Sequence, residues 1–271
     1  MKIVSLILLG FTALFTLSCT STHSDNRNQA DSVAYVQQAT FDKAKVIFYS
    51  LPSPVETAAI LNQMNIKFTE EFINPSANAE KYVSTYQQAV NVGIYSADMC
   101  FCSLYEQNHS VVDYITVLKN LTEEMGIIGF FNDSTISVIR TKMNDKSFVV
   151  KYLSDSYTQY ANMLEEQERN EIAALVLVGG WTESFYLALN MLNTAESKHE
   201  DVYEIIKYQK LTFNNLMEIL NLFKGQSYIK DITSQMEKLQ GAFPQITTDI
   251  TTAQENELRE VVTSIRQNFV K

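Results

Sequence analysis

From about Lys43 onward, apolar residues recur at three- and four-residue intervals, the spacing of helices that bury one face and wet the other. The clearest start is Leu51-Pro52-Ser53-Pro54-Val55-Glu56, where Ser53 can cap, Pro54 suits the first helical position and Glu56 completes a capping box. That helix should end near Asn65. A long helix is predicted over Asn78–Gln107, and another from Ser110, with Asp113 three on, to Gly126 as C-cap. Further helices are expected at 134–143, 146–168, 171–195, 200–224, 227–240 and 252–269, with Asp145 and Thr251 as caps and Gly225 as a stop. The connections are short, so sequence neighbours should lie antiparallel. The fold class expected is all-α, an antiparallel multi-helix bundle of about eight to nine helices.

Two stretches lack a polar face. Ile172 to Leu192 is apolar all round, and Val92 to Tyr105 nearly so. The first has the length of a membrane span, yet it carries Thr182, Glu183, Ser184 and Asn190 and has no basic flanks, so it reads as the central buried helix. Both stretches share a Val-Gly step, an aromatic two residues later and an acid beyond it.

A third apolar run stands at the front. Lys2 precedes Ile3–Leu17, and Thr16-Leu17-Ser18-Cys19 follows; so short a terminal run ending in small residues is a signal peptide. The cysteine just beyond it resembles the lipobox of bacterial lipoproteins, in which the Cys receives a diacylglycerol and becomes the mature N-terminus. The departure is that Leu17 sits two before the Cys rather than three, and plain signal cleavage is the alternative. Residues 20–32 are polar and cannot repay their ordering by burial. The expected organisation is residues 1–18 as signal peptide, 19–42 as lipidated Cys19 and tether, and 43–271 as one helical domain. Thr20 in place of Asp points to the outer membrane, its leaflet left open.

Composition narrows the partners. Only 8 Gly and 4 Pro in 271 residues argue against turn-rich β folds. A formal charge of -10 repels phosphate backbones and anionic headgroups, so no nucleic acid is expected, and membrane attachment should run through the lipid. No cofactor is implied.

Candidate chemistry is sparse. Cys100 and Cys102, two apart on a helix, diverge and do not make a metal site with His109. His199-Glu200-Asp201 starts like a zinc-protease helix but lacks the second His and fits a helix start. Asp98 and Glu183 are the informative residues, because an acid inside an apolar helix needs a partner. One reading makes them polar anchors of a ligand pocket walled by Trp181, Tyr95 and Tyr186. The other has them fix helix register through internal hydrogen bonds.

Phe48–Glu56, Asn91–Asp98 and Val178–Glu183 together resemble a group of uncharacterised all-helical bacterial lipoproteins. The resemblance implies an exported helical lipoprotein and transfers no activity. The function expected is a noncatalytic cell-envelope protein binding a small ligand or an envelope protein. An envelope hydrolase using Asp98 and Glu183, or a purely structural envelope component, are the alternatives.

Overall fold

The computed structural model describes residues 53–127, 131–145, 169–195, 199–243 and 250–271, with scattered positions between 147 and 162. The expected signal peptide, Cys19 and expected tether, and most of the helix expected at 146–168, lie outside the described residues. The described chain is all-helical: α1 (Pro54–Gln63), α2 (Thr85–Leu104), α3 (Asn108–Glu124), α4 (Asp133–Lys142), α5 (Asn170–Thr194), α6 (His199–Leu222), α7 (Ser227–Ala242) and α8 (Thr252–Phe269). Two short 3-10 turns, Glu70–Phe72 and Ser76–Lys81, bridge α1 to α2.

Most boundaries follow the expected chemistry. Thr251 caps α8 through a reciprocal box with Gln254. Gly126 ends α3 at φ 74°, and the Ile127 N–H donates back to Thr122 O at 2.8 Å, closing the last turn. Asp145 accepts from the Phe148 N–H at 3.0 Å. Two starts differ. Ser53 and Pro54 do open α1, but no capping box forms; the Glu56 carboxylate instead accepts from the Tyr208 hydroxyl at 3.0 Å. The long helix begins at Thr85 rather than Asn78, because Gln87 Oε1 accepts from both the N–H and the hydroxyl of Ser84 and fixes the start there.

The centre is the pair α2 and α5. The most hydrophobic part of α5, long and apolar enough to cross a membrane by composition, is wholly buried within the described structure. The two helices touch backbone to backbone through their glycines. A Cβ on Gly93 would overlap the Val176 carbonyl oxygen and stand 2.6 Å from the Gly180 nitrogen; one on Gly179 would overlap the Val90 carbonyl oxygen. The Val-Gly steps shared by the two helices are therefore each other's contact, and they serve close approach rather than ligand space. Other helices separate α2 from α5 in sequence, so no short connection forces an antiparallel course. Asp98 and Glu183, five and four residues past Gly93 and Gly179, lie on the same side of the crossing.

Around this pair α3, α6, α7 and α8 lay amphipathic faces. The α8 stripe Leu258, Val262, Ile265 and Phe269 is a single buried face at helical spacing. Its last turn brings Arg266 inward beside the two acids.

Candidate functional site: a sealed carboxylate pair and two surface clefts

Asp98 and Glu183 meet, and both are 0% exposed. Their shared partner is Arg266. Its Nε and Nη2 donate to Glu183 Oε2 and Oε1 at 2.9 and 3.0 Å, the two-pronged geometry that a planar guanidinium and a carboxylate share. Nη2 also donates to Phe72 O at 3.3 Å, and the guanidinium carbon stands 4.8 Å from the Tyr186 ring centre. Asp98 Oδ2 accepts the Asn74 N–H at 3.0 Å. A side-chain hydrogen bond joins Asp98 to Glu183.

Protonation follows from this geometry. Burial, then the Glu183 charge, pushes Asp98 well above the usual carboxylate range. Burial also raises Glu183, opposed by the charge and hydrogen bonds of Arg266 and by the hydrogen bond from Asp98. Two carboxylates in contact cannot both ionise without a second cation, and the guanidinium grips Glu183. Asp98 is accordingly the neutral acid, donating its proton's hydrogen bond to the Glu183 carboxylate. Asp98 Oδ2 is taken by the Asn74 N–H, and Oδ1 has no other hydrogen-bond partner among the described residues, so it is the oxygen free to carry that proton. Burial works against the Arg266 charge, but Glu183 outweighs it and holds that charge in place. The trio carries no net charge.

A polar shell extends from the trio. The Tyr95 hydroxyl donates to Pro75 O at 3.0 Å and the Tyr114 hydroxyl to Asn74 O at 2.8 Å. Asn74 Nδ2 reaches the Tyr82 hydroxyl at 3.1 Å, and Asn91 Nδ2 donates to Phe269 O at 2.8 Å. These bonds tie the 70–82 segment onto α2 and α3, and the end of α8 onto α2.

Four of the five sequence-nominated residues thus gather: Asp98, Glu183, Tyr95 and Tyr186. Trp181 does not. It lies two residues from Glu183, about 200° around the helix, and packs at tilted angles against Phe185 and Phe213 while its Nε1 donates to Thr212 at 2.9 Å. Arg266, Asn74, Tyr82, Asn91 and Tyr114 were not nominated. Arg266 had one sequence signal: it sits four after Val262 and three before Phe269, beside the apolar stripe of its helix.

Neither acid exposes any surface to solvent. An acid/base pair attacking a solvent-borne substrate needs an opening to it. The carboxylates lie in a closed, charge-compensated interior instead. Cys100 and Cys102 are both buried free thiols, and burial raises each further from its thiolate. Among the described residues no three His, Cys, Asp or Glu side chains cluster as metal ligands.

Open space lies at the surface. A cleft of about 320 Å³ is lined by the start of α2, one face of α7 and the end of α8, including Tyr86, Gln87, Tyr228, Asp231, Gln235 and Asn268. Another, about 350 Å³, lies beside the 3-10 turns, with Glu70, His109 and Asp113 on its rim. Comparison of the chain with protein-family models, curated proteins and solved structures finds no match.

Proposed function

We propose that this protein is a lipid-anchored envelope protein whose helical body binds and does not catalyse. The observation that carries this reading is the state of Asp98 and Glu183: sealed, mutually hydrogen-bonded and neutralised by Arg266. That arrangement suits an internal brace, holding the end of α8 and the 70–82 segment against the central pair, better than it suits proton transfer. With the internal acids occupied as a brace, the two clefts among the described residues are places where a ligand can be met. The address rests on the apolar Ile3–Leu17 run and the Cys19 that follows it.

The anchor is tested by metabolic labelling with an alkyne fatty acid in a bacterial host that makes lipoproteins, comparing the native chain with Cys19→Ala. Label on the native protein that disappears in Cys19→Ala is the expected result. A native chain that takes up no label refutes the anchor and the envelope address with it.

A further inference from the structure

We propose that the cleft between α2, α7 and α8 is a binding site for a neutral saccharide. The proposal rests on the binding role above and adds the class of ligand. The cleft has the two ingredients by which proteins hold sugars: an aromatic surface for the C–H face of a pyranose ring, and planar polar groups for its hydroxyls. Tyr86 and Tyr228 lie parallel, 5° between planes and 5.4 Å between centres, so the rings are offset and form a flat step. Tyr86 is 41% exposed, unusual for a large ring in this otherwise well-covered body. Asp231 and Ile232 stand three and four residues after Tyr228, and Gln235 four and three after them, so the four share the face of α7 that lines the cleft.

The polar complement suits hydroxyls, which donate and accept at once. Gln235 Oε1 is buried without a hydrogen-bond partner among the described residues, and turning the Gln235 amide toward the cleft it lines would let a ligand hydroxyl pair with it. Gln87 Oε1 accepts from Ser84 and Asn268 Oδ1 from Lys271 Nζ at 2.7 Å, while neither amide NH2 group donates to another described residue. Asp231 adds a charged acceptor. Apolar Val90, Ile232 and Phe269 lie beneath these groups.

Charge and shape choose among ligand classes. A net charge of -10 and a carboxylate in the cleft oppose phosphates and other anions. An alkylammonium ion would be drawn to Asp231, but cages for such ions enclose them with rings at steep angles, whereas these two are parallel. At about 320 Å³ the cleft stands at the small end of ligand pockets, room for a sugar ring or two rather than for a buried chain. It is also held in shape: Asn91 fastens Phe269 O, and Tyr82 donates to Val270 O at 3.4 Å, so the α8 wall is set by the internal network.

The test uses the full-length protein in a polyoxyethylene detergent, which carries no sugar, and saturation-transfer NMR followed by calorimetry. The probes are maltotriose, cellotriose, mannotriose and N-acetylglucosamine trimer, with tetramethylammonium and inorganic phosphate as the other classes. Saturation transfer to ring protons of at least one trisaccharide, with affinity falling about tenfold or more in both Tyr86→Ala and Gln235→Ala, is the expected result. Melting curves on the two variants confirm that they are folded, and Asp231→Asn, at an exposed position, supplies a third variant for which weakening is expected. No transfer to any trisaccharide at about 10 mM, binding unchanged in the variants, or preferential binding of tetramethylammonium or phosphate would overturn it. Fatty-acid labelling of Cys19 is read separately, so loss of the sugar site leaves the anchor standing and the reverse.

Discussion

Exchanging Glu183 for glutamine keeps the side chain's shape but removes the charge that faces Arg266. The guanidinium is then left buried against a neutral amide, 11% exposed and unable to reach water without undoing the end of α8. Breaking a buried ion pair by removing one partner costs about 3–5 kcal/mol. In a domain of this size each kcal/mol moves the midpoint by roughly 2–4 °C, so Glu183→Gln should melt roughly 6–20 °C lower. Asp98→Asn should behave oppositely. Its Nδ2 can donate to Glu183 as the acid proton does, and its Oδ1 can accept the Asn74 N–H. The pH dependence carries the sign. Asp98 has a raised pKa in the folded state, so the folded protein holds a proton that the unfolded chain releases above about pH 4. Its contribution is complete below that unfolded value and is lost as pH rises through the folded one. The native chain should therefore lose stability relative to Asp98→Asn as pH rises from about 5 to about 8, read by urea unfolding on Trp181 fluorescence. If Glu183→Gln melts with the native protein, or Asp98→Asn falls as far as Glu183→Gln at neutral pH, the assignment of charge in the trio is wrong.

Other consequences follow from the same geometry. Gly93→Ala or Gly179→Ala must force α2 and α5 apart, because the new methyl meets backbone that cannot move aside; a loss of about 1–3 kcal/mol or outright misfolding is expected in denaturant melts. Gly241→Ala faces open space near the end of α7 and should be neutral or slightly stabilising in the same melts, so equal damage at all three positions would count against the crossing. Cys100 and Cys102 should resist a thiol reagent such as DTNB in the native protein and react once urea opens the core; rapid native labelling would contradict their burial. Replacing both Arg266 and Glu183 with Met and Leu should recover much of the stability that either single exchange loses, measured as a double-mutant cycle.

The sequence by itself determined much of the architecture, because helix-forming information is local. Three- and four-residue periodicity, the Thr251 cap and the Gly126 stop act over single turns, and each appears where its chemistry places it. The same locality explains the misreadings. Ser53 and Glu56 have the right spacing for a capping box, yet Tyr208, 152 residues away, captures the Glu56 carboxylate. Helical angles alone already separate Trp181 from Glu183, and they put Tyr186 and Tyr95, three residues from their acids, on the acid faces.

What the pattern of residues could not decide was the partner. Asp98 and Glu183 declare by composition that each needs one, but which cation answers depends on where the end of α8 falls. Arg266 lies 83 residues beyond Glu183. Its arrival is fixed only when Gly93 and Gly179 let two backbones meet and the α8 stripe closes over them. The surface cleft is likewise a product of packing: Tyr86, Tyr228 and Asn268 belong to three helices, and their joint surface exists only once those helices are assembled. Periodicity is written into consecutive residues, whereas charge pairing and concavity arise from distances between helices, which only the assembled chain defines.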